Sequence, residues 1–174
     1  MRTQRVGRVV MAVVAIVVGV GGAAAEETAT AAPAIRRLVV SIPDRQLVIV
    51  ENDQVVEVFA VAVGAAATPS PVGTFTIVNR LTNPTYYRPG KVVPPGPRNP
   101  LGTRWLGLSR KGYGIHGTDA PQSVGFARSS GCIRLRNADV ERLFERVRAG
   151  DVVELHAERT PDIERFFIGA QPLH

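Results

Sequence analysis

The residues with the clearest capacity for chemistry are one cysteine and one histidine, in glycine-rich segments of the same region. Cys132 is the only cysteine of the 174-residue chain, and His116, one of three histidines, lies sixteen positions before it. Gly117 follows the histidine, and Gly131 precedes the cysteine. A thiol needs a nearby base or cation to become a nucleophile at neutral pH, and histidine suits that role. Glycines let the backbone approach a substrate and leave N–H groups free to stabilise an oxyanion.

Spacing alone leaves other interpretations open. A free cysteine is often a small buried core residue, and a single cysteine in an exported chain forms no internal disulfide. A zinc site is disfavoured because Cys132, His116, His156 and His174 lack the closely spaced ligand pairs of such sites. We therefore expect no metal and no cofactor, and we keep a structural cysteine as the alternative to a nucleophile.

The elements that must position these residues are mostly strands. Runs rich in β-branched and aromatic residues, bounded by turn residues, predict strands at Arg37–Ile42, Gln46–Glu51, Val55–Val63, Thr74–Val78, Trp105–Ser109, Tyr113–His116 and Val152–Leu155. The Asn52-Asp53 pair between two of them predicts a hairpin turn.

One helix is predicted in the second half of the chain. Val140, Leu143, Phe144 and Val147 recur at helical spacing, with Asn137 as the expected N-cap and Gly150 as the expected C-terminal cap. The pattern indicates a mostly β domain with one principal helix, either a sandwich or a half-closed barrel.

A long segment rich in proline and glycine, residues 81–102, separates two of the predicted strands. Loops of this length inside a domain are usually functional. We predict that it caps the site, with Tyr86 and Tyr87 as either ligand contacts or ordinary packing residues.

The amino terminus has the layout of a secretory signal peptide. Arg2, Arg5 and Arg8 precede the apolar run Val9–Val20, and small residues follow at 23–25. We predict a signal peptide at 1–25, with an uncleaved membrane anchor as the alternative, a flexible lead at 26–35, a globular domain at 36–156 and a tail at 157–174. The net charge is +6, three of it from the leader arginines, and no basic run is interleaved with aromatics. Nucleic acid is therefore not an expected partner.

The chemistry-bearing stretch resembles the signature of the L,D-transpeptidase (YkuD-type) catalytic domain. In that family a His-Gly pair is followed by Ser-His-Gly-Cys, an apolar residue, and Asn or Arg. This chain has His116-Gly117 and then Ser-Ser-Gly-Cys-Ile-Arg at 129–134. The segments 68–75, 99–102 and 137–153 also look like the family. The resemblance implies a β-sandwich or half-barrel of the L,D-transpeptidase type, with one principal helix, a long capping loop and residues 36–156 as the catalytic domain.

The same resemblance implies roles for individual residues. Cys132 would be the nucleophile and His116 its base, with the Gly117 carbonyl orienting the imidazole. Backbone N–H groups around Ser130, Gly131 and Cys132 would form an oxyanion hole. Arg134 would steady the loop or hold a substrate carboxylate, with a simple surface arginine or a salt-bridge arginine as the alternative. Ser129, Tyr86 and Tyr87 complete the expected substrate contacts.

One departure from the family pattern is Ser130, where the family has its second histidine. Because the base is the upstream histidine, kept as His116, we expect an active enzyme with an altered rate or substrate choice. The implied reaction is thioester formation on a peptidoglycan tetrapeptide stem with release of D-alanine. An amine of a neighbouring stem then forms a 3–3 cross-link. Alternatives are a carboxypeptidase or a protein-attachment enzyme on the same scaffold, and an inactive peptidoglycan-binding module. We expect a monomer exported to the periplasm or cell wall.

Overall fold

A computed structural model describes residues 36–169, so the predicted signal peptide and flexible lead lie outside the described residues. The strands, in chain order, are β1 (Arg36–Ser41), β2 (Gln46–Glu51), β3 (Gln54–Ala60), β4 (Val63–Gly64), β5 (Gly73–Thr82), β6 (Tyr86–Arg88), β7 (Lys91–Val93), β8 (Arg104–Leu108), β9 (Gly114–His116), β10 (Ala127–Ser129), β11 (Ile133–Arg134) and β12 (Val152–His156). The helices are α1 (Asn137–Arg146), a short α2 (Pro161–Glu164) and a 3₁₀ turn at Pro121–Ser123.

Eight of these strands form one sheet in the order β11-β9-β8-β5-β12-β1-β2-β3, which curls into a half-barrel. The predicted hairpin is confirmed. β1, β2 and β3 are antiparallel neighbours, and Asn52 and Asp53 both have positive φ, at 50° and 61°. Positive φ at both central residues is the geometry that matches the twist of a hairpin. Two smaller pairs, β10-β4 and β6-β7, stand apart from the main sheet.

The main core fills the concave side of the sheet and is closed by α1. Leu38, Val40, Leu47 and Ile49 of β1 and β2 pack in one cluster with the helix residues, including Leu143. The opposite face of the same two strands packs against Ile163, Phe166 and Phe167 around α2. The tail, which shows no pattern in sequence, thus covers the second face of the sheet. Because β1 and β2 are buried on both sides, they form a rigid base for the strands that follow.

The principal helix is confirmed, but its predicted caps are wrong. Helix α1 begins at Asn137, Arg136 occupies the cap position without a side-chain cap hydrogen bond, and the helix ends before Val147. Gly150 lies beyond the helix, in the turn to β12, with φ at 96°. The Asn137 side chain is used elsewhere, in contacts with two loops that are described below.

The proline-rich segment is more ordered than a simple loop, because it contains the β6-β7 hairpin. Asn99 is buried at its centre. The Asn99 side-chain amide donates to the carbonyls of Pro84, Val93 and Pro94, while its oxygen accepts from the Leu101 N–H at 2.8 Å. One asparagine thus fixes the shape of the segment with its side-chain donors and acceptor.

Among residues 36–169, no helix is long and apolar enough to cross a membrane. The predicted leader falls outside that range.

Candidate active site

The pairing of β9 with β11 brings the segments that carry the histidine and the cysteine next to each other. The two strands are parallel, with Ile115 opposite Ile133 and His116 opposite Arg134. Cys132 immediately precedes β11 and is two residues from Arg134. The charge of Arg134 acts on both the His116 imidazole and the Cys132 thiol. Residues sixteen apart in sequence thus lie in one neighbourhood around Arg134.

His116 is held in one tautomer by the backbone. The structure places its Nδ1 2.6 Å from the Gly117 carbonyl oxygen, and the ring is only 4% exposed. A carbonyl oxygen can only accept, so Nδ1 carries the proton and donates. The lone pair is then on Nε2, where it can accept a proton. The predicted orienting contact of Gly117 corresponds to this geometry.

An indole ring covers one face of the imidazole. Trp105, opposite His116 on β8, stacks on it with ring centroids 5.6 Å apart and planes 25° apart. The indole also lies over Gly114, where a β-carbon would come within 2.5 Å of it. The pKa of His116 is lowered to about 4. Burial is the main cause, the Gly117 hydrogen bond opposes it, and the nearby charge of Arg134 adds to the lowering. At neutral pH the imidazole is therefore uncharged.

The cysteine is half-buried beside the turn that leads into β9. Its thiol donates weakly to the Gly112 carbonyl, with sulfur and oxygen 3.8 Å apart. Burial raises the pKa of the Cys132 thiol, and a backbone hydrogen bond from Gly114 and the charge of Arg134 only partly offset that. Both pKa shifts therefore favour a neutral thiol and a neutral imidazole over a thiolate–imidazolium ion pair.

A tight turn fixes the backbone just before the thiol. The Ser129 hydroxyl donates to the Cys132 carbonyl at 2.6 Å and accepts from the Gly131 N–H at 3.0 Å. Gly131 has φ of 107°, and a β-carbon there would lie 2.7 Å from the Tyr113 ring. Only glycine suits that conformation and that contact.

Hydrogen bonds within this turn occupy polar groups of two residues that were expected to contact the substrate. Ser129, predicted as a substrate contact, is 2% exposed, and its hydroxyl is used to close the turn. The Gly131 N–H, predicted for the oxyanion hole, is likewise taken by Ser129. Within residues 36–169, the Cys132 N–H and the N–H of the exposed Ser130 have no protein partner. These two donors remain available to an oxyanion.

Arg134 is half-buried. In the described part of the chain its guanidinium has no carboxylate partner, and its buried Nε has no hydrogen-bond partner. Its role at the site stays a prediction. Its backbone is fixed on both sides, since its N–H donates to the Ala62 carbonyl at 3.0 Å and its carbonyl accepts from the Ala62 N–H at 2.8 Å. The guanidinium is thus an uncompensated positive charge close enough to affect both His116 and Cys132.

The two tyrosines expected at the site lie in the separate β6-β7 hairpin. Tyr86 is half-buried, and Tyr87 is 74% exposed. Their role as substrate contacts stays a prediction.

The sequence did not predict three residues near the site: Tyr113 against the cysteine turn, Trp105 over the imidazole, and Asn137, which was expected only as a helix cap. The aromatic residues gave no signal beyond their strand patterns. Between residues 36 and 169, no group of three histidine, cysteine, aspartate or glutamate side chains is placed to hold a metal ion.

Residues 35–155 match the family model for the L,D-transpeptidase catalytic domain, YkuD. The chain belongs to this family. Among its relatives, YkuD of Bacillus licheniformis is 41% identical over 119 residues, which cover 68% of this chain and 64% of the relative. ErfK/SrfK of Escherichia coli K12 is 34% identical over 134 residues, which cover 68% of this chain and 43% of the relative. The chain thus spans less than two thirds of the length of these relatives.

Solved structures support the fold of this L,D-transpeptidase family member. The crystal structure of an L,D-transpeptidase from Mycobacterium tuberculosis H37Rv superposes with a TM-score of 0.61 at 19% identity. The match covers 71% of this chain and 58% of that one. At this identity the likeness concerns the half-barrel fold.

Proposed function

We propose that this chain is a peptidoglycan L,D-transpeptidase in which Cys132 is the nucleophile and His116 is the general base. The observation that carries the proposal is the parallel pairing of β9 and β11. The pairing supports the proposal because it sets His116 opposite Arg134, two residues after Cys132. The His116 Nδ1 donates to the Gly117 carbonyl, which leaves the Nε2 lone pair to accept a proton. Family membership supplies the reaction class.

The first step is acyl transfer to sulfur. Because both pKa shifts disfavour a resting ion pair, the Cys132 proton passes to His116 Nε2 as the sulfur attacks the carbonyl of the third stem residue. The oxyanion that forms accepts from the Cys132 N–H. The C–N bond to D-alanine then breaks, the leaving amine takes the proton from His116, and a thioester remains.

The second step regenerates the thiol. The amine of a neighbouring stem attacks the thioester carbonyl, gives its proton to His116 and forms the new amide. As the C–S bond breaks, the sulfur takes the proton back from the imidazolium. Water in place of the amine would give a free carboxylate and a carboxypeptidase.

Arg134 is the group we assign to a stem carboxylate. Its guanidinium has no acidic partner in the described residues, and charge-assisted pairs with carboxylates are the strong hydrogen bonds that arginine makes. Ser130 stands where the family has a histidine and is exposed beside the thiol. Since His116 is the proposed base, we assign Ser130 an effect on rate or substrate choice.

The remaining parts of the proposal concern location. Peptidoglycan lies outside the cytoplasmic membrane, and the leader at 1–25 has signal-peptide chemistry. We propose a monomer exported to the periplasm or cell wall.

The experiment is to incubate the purified protein with a disaccharide-tetrapeptide, record intact mass and analyse the products, beside Cys132→Ala. A thioester adduct, D-alanine release and a dimeric product, all absent from Cys132→Ala, would support transpeptidation. D-alanine release without dimer would show a carboxypeptidase. Binding without any adduct would contradict the enzyme proposal and favour a binding module. Ser130→His would then be tested for a gain of activity.

A further inference from the structure

The side chain of Asn137 lies where three backbone segments meet. Its Oδ1 accepts from the Thr118 N–H at 3.1 Å and from the Thr103 N–H at 3.3 Å. Glycines make room for it, since a β-carbon on Gly102 or Gly117 would lie 2.1 or 2.2 Å from that oxygen. The carboxamide therefore joins the end of the proline-rich segment, the His116 segment and the start of α1.

The Thr118 N–H belongs to the same peptide group as the Gly117 carbonyl. That carbonyl accepts from His116 Nδ1 at 2.6 Å. Because a peptide group is planar and trans, fixing the direction of its N–H fixes the direction of its C=O on the opposite side. Hydrogen bonds in such a chain also polarise one another. The Asn137 oxygen therefore acts on the imidazole through one rigid peptide.

The Asn137 side chain extends from a rigid helix. Asn137 is the first residue of α1, and Val140 and Leu143, about one and two turns further on, are buried in the core. The side chain does not cap its own helix, because Arg136 is at the cap position and no side-chain cap bond is formed. The contact between Asn137 and Thr118 is therefore not part of capping the helix.

We propose that Asn137 is a positioning residue that holds His116 in its Nδ1–H tautomer, and aims Nε2 at the thiol, through the Gly117–Thr118 peptide. The effect on turnover rests on the proposed function, whereas the effect on the tautomer does not. Removing the oxygen frees the peptide to tilt, so the imidazole samples both tautomers and other orientations.

The test compares Asn137→Ala with Asn137→Asp, which keeps an acceptor oxygen, and with Val147→Ala as a matched control. Val147 is buried at the C-terminal end of the same helix, and its N–H donates to the Leu143 carbonyl. Nitrogen-15 NMR of the imidazole reports the tautomer without any substrate. Steady-state kinetics separate kcat from KM, and thermal melting reports stability.

We expect Asn137→Ala to lose the single tautomer and to lower kcat about 10–100-fold, the range for partners that orient a reactive group, with little change in KM. Asn137→Asp should keep the Nδ1–H tautomer and most of kcat. Val147→Ala should lower the melting temperature and leave tautomer and kcat unchanged.

An unchanged tautomer in folded Asn137→Ala would overturn the proposal. The proposal would also be overturned if Asn137→Ala and Val147→Ala both lost kcat in proportion to their drop in melting temperature. If Asn137→Ala does not fold, a mixed tautomer in Asn137→Asp refutes the proposal and a single Nδ1–H tautomer supports it. Inactive wild-type protein with the expected tautomer shifts would instead count against the proposed function and leave the role of Asn137 standing.

Discussion

Trp105 should control the basicity of His116, because its indole is the cover over one face of the imidazole. The rings stack at 5.6 Å, and burial is the main reason why the pKa of His116 is about 4 rather than 6.5. The difference corresponds to about 3 kcal/mol against the imidazolium, at about 1.4 kcal/mol per pH unit. Trp105→Ala admits water to that face. Arg134 remains nearby and still opposes the charge, so recovery should be incomplete.

We expect Trp105→Ala to raise the midpoint of His116 by about one pH unit, which is about 1.4 kcal/mol of imidazolium stabilisation. The assay is an NMR titration of the His116 Cε1 resonance, with half-buried His156 on β12 as an internal reference. Trp105→Phe keeps an aromatic cover and should shift the midpoint much less. An unchanged His116 midpoint in folded Trp105→Ala would refute the argument that the indole desolvates the imidazole.

Three further predictions concern the same site. Gly131→Ala forces a side chain into positive φ and against Tyr113, so urea unfolding should show a loss of about 1–3 kcal/mol, together with slower thiol alkylation. Alkylation of Cys132 by iodoacetamide should rise with pH to a midpoint above that of a free cysteine; a plateau between about pH 5 and 8 would instead reveal a thiolate pair. His116 binds a proton near pH 6.5 in the unfolded chain but only near pH 4 in the folded protein. As the pH falls from about 6.5 to about 4, the free energy of unfolding of the wild type should therefore drop by about 3 kcal/mol relative to His116→Gln. Parallel plots of unfolding free energy against pH for the two proteins would contradict this.

Local signals in the sequence predict the strands and the helix well. The alternating, β-branched runs at 37–42 and 46–51 become β1 and β2, and helical spacing locates α1. These elements follow from patterns within a few residues. The tail around Phe166 and Phe167 has no such periodicity, because its packing against β1 and β2 is decided by a surface distant in sequence.

The site itself is determined by contacts between distant segments, which local patterns cannot fix. The Cys132 and His116 segments are neighbours because β11 pairs in parallel with β9, and nothing within either segment specifies that register. Resemblance to the family supplied it. Asn137 illustrates the opposite failure, since an asparagine at a helix start looks like a cap whether it caps the helix or reaches two loops.

The charge of Arg134 cannot be what activates the thiol. It lowers the pKa of Cys132, which favours loss of the sulfur proton, but it also lowers the pKa of His116, which disfavours its acceptance. The two effects oppose each other in a transfer from sulfur to imidazole, and a carboxylate that neutralised the guanidinium would weaken both. In the proposed reaction, a stem carboxylate bound at Arg134 would therefore orient the stem without driving the proton transfer. The driving force would come from the attack itself, as the oxyanion forms beside the Cys132 N–H and the charge leaves the sulfur.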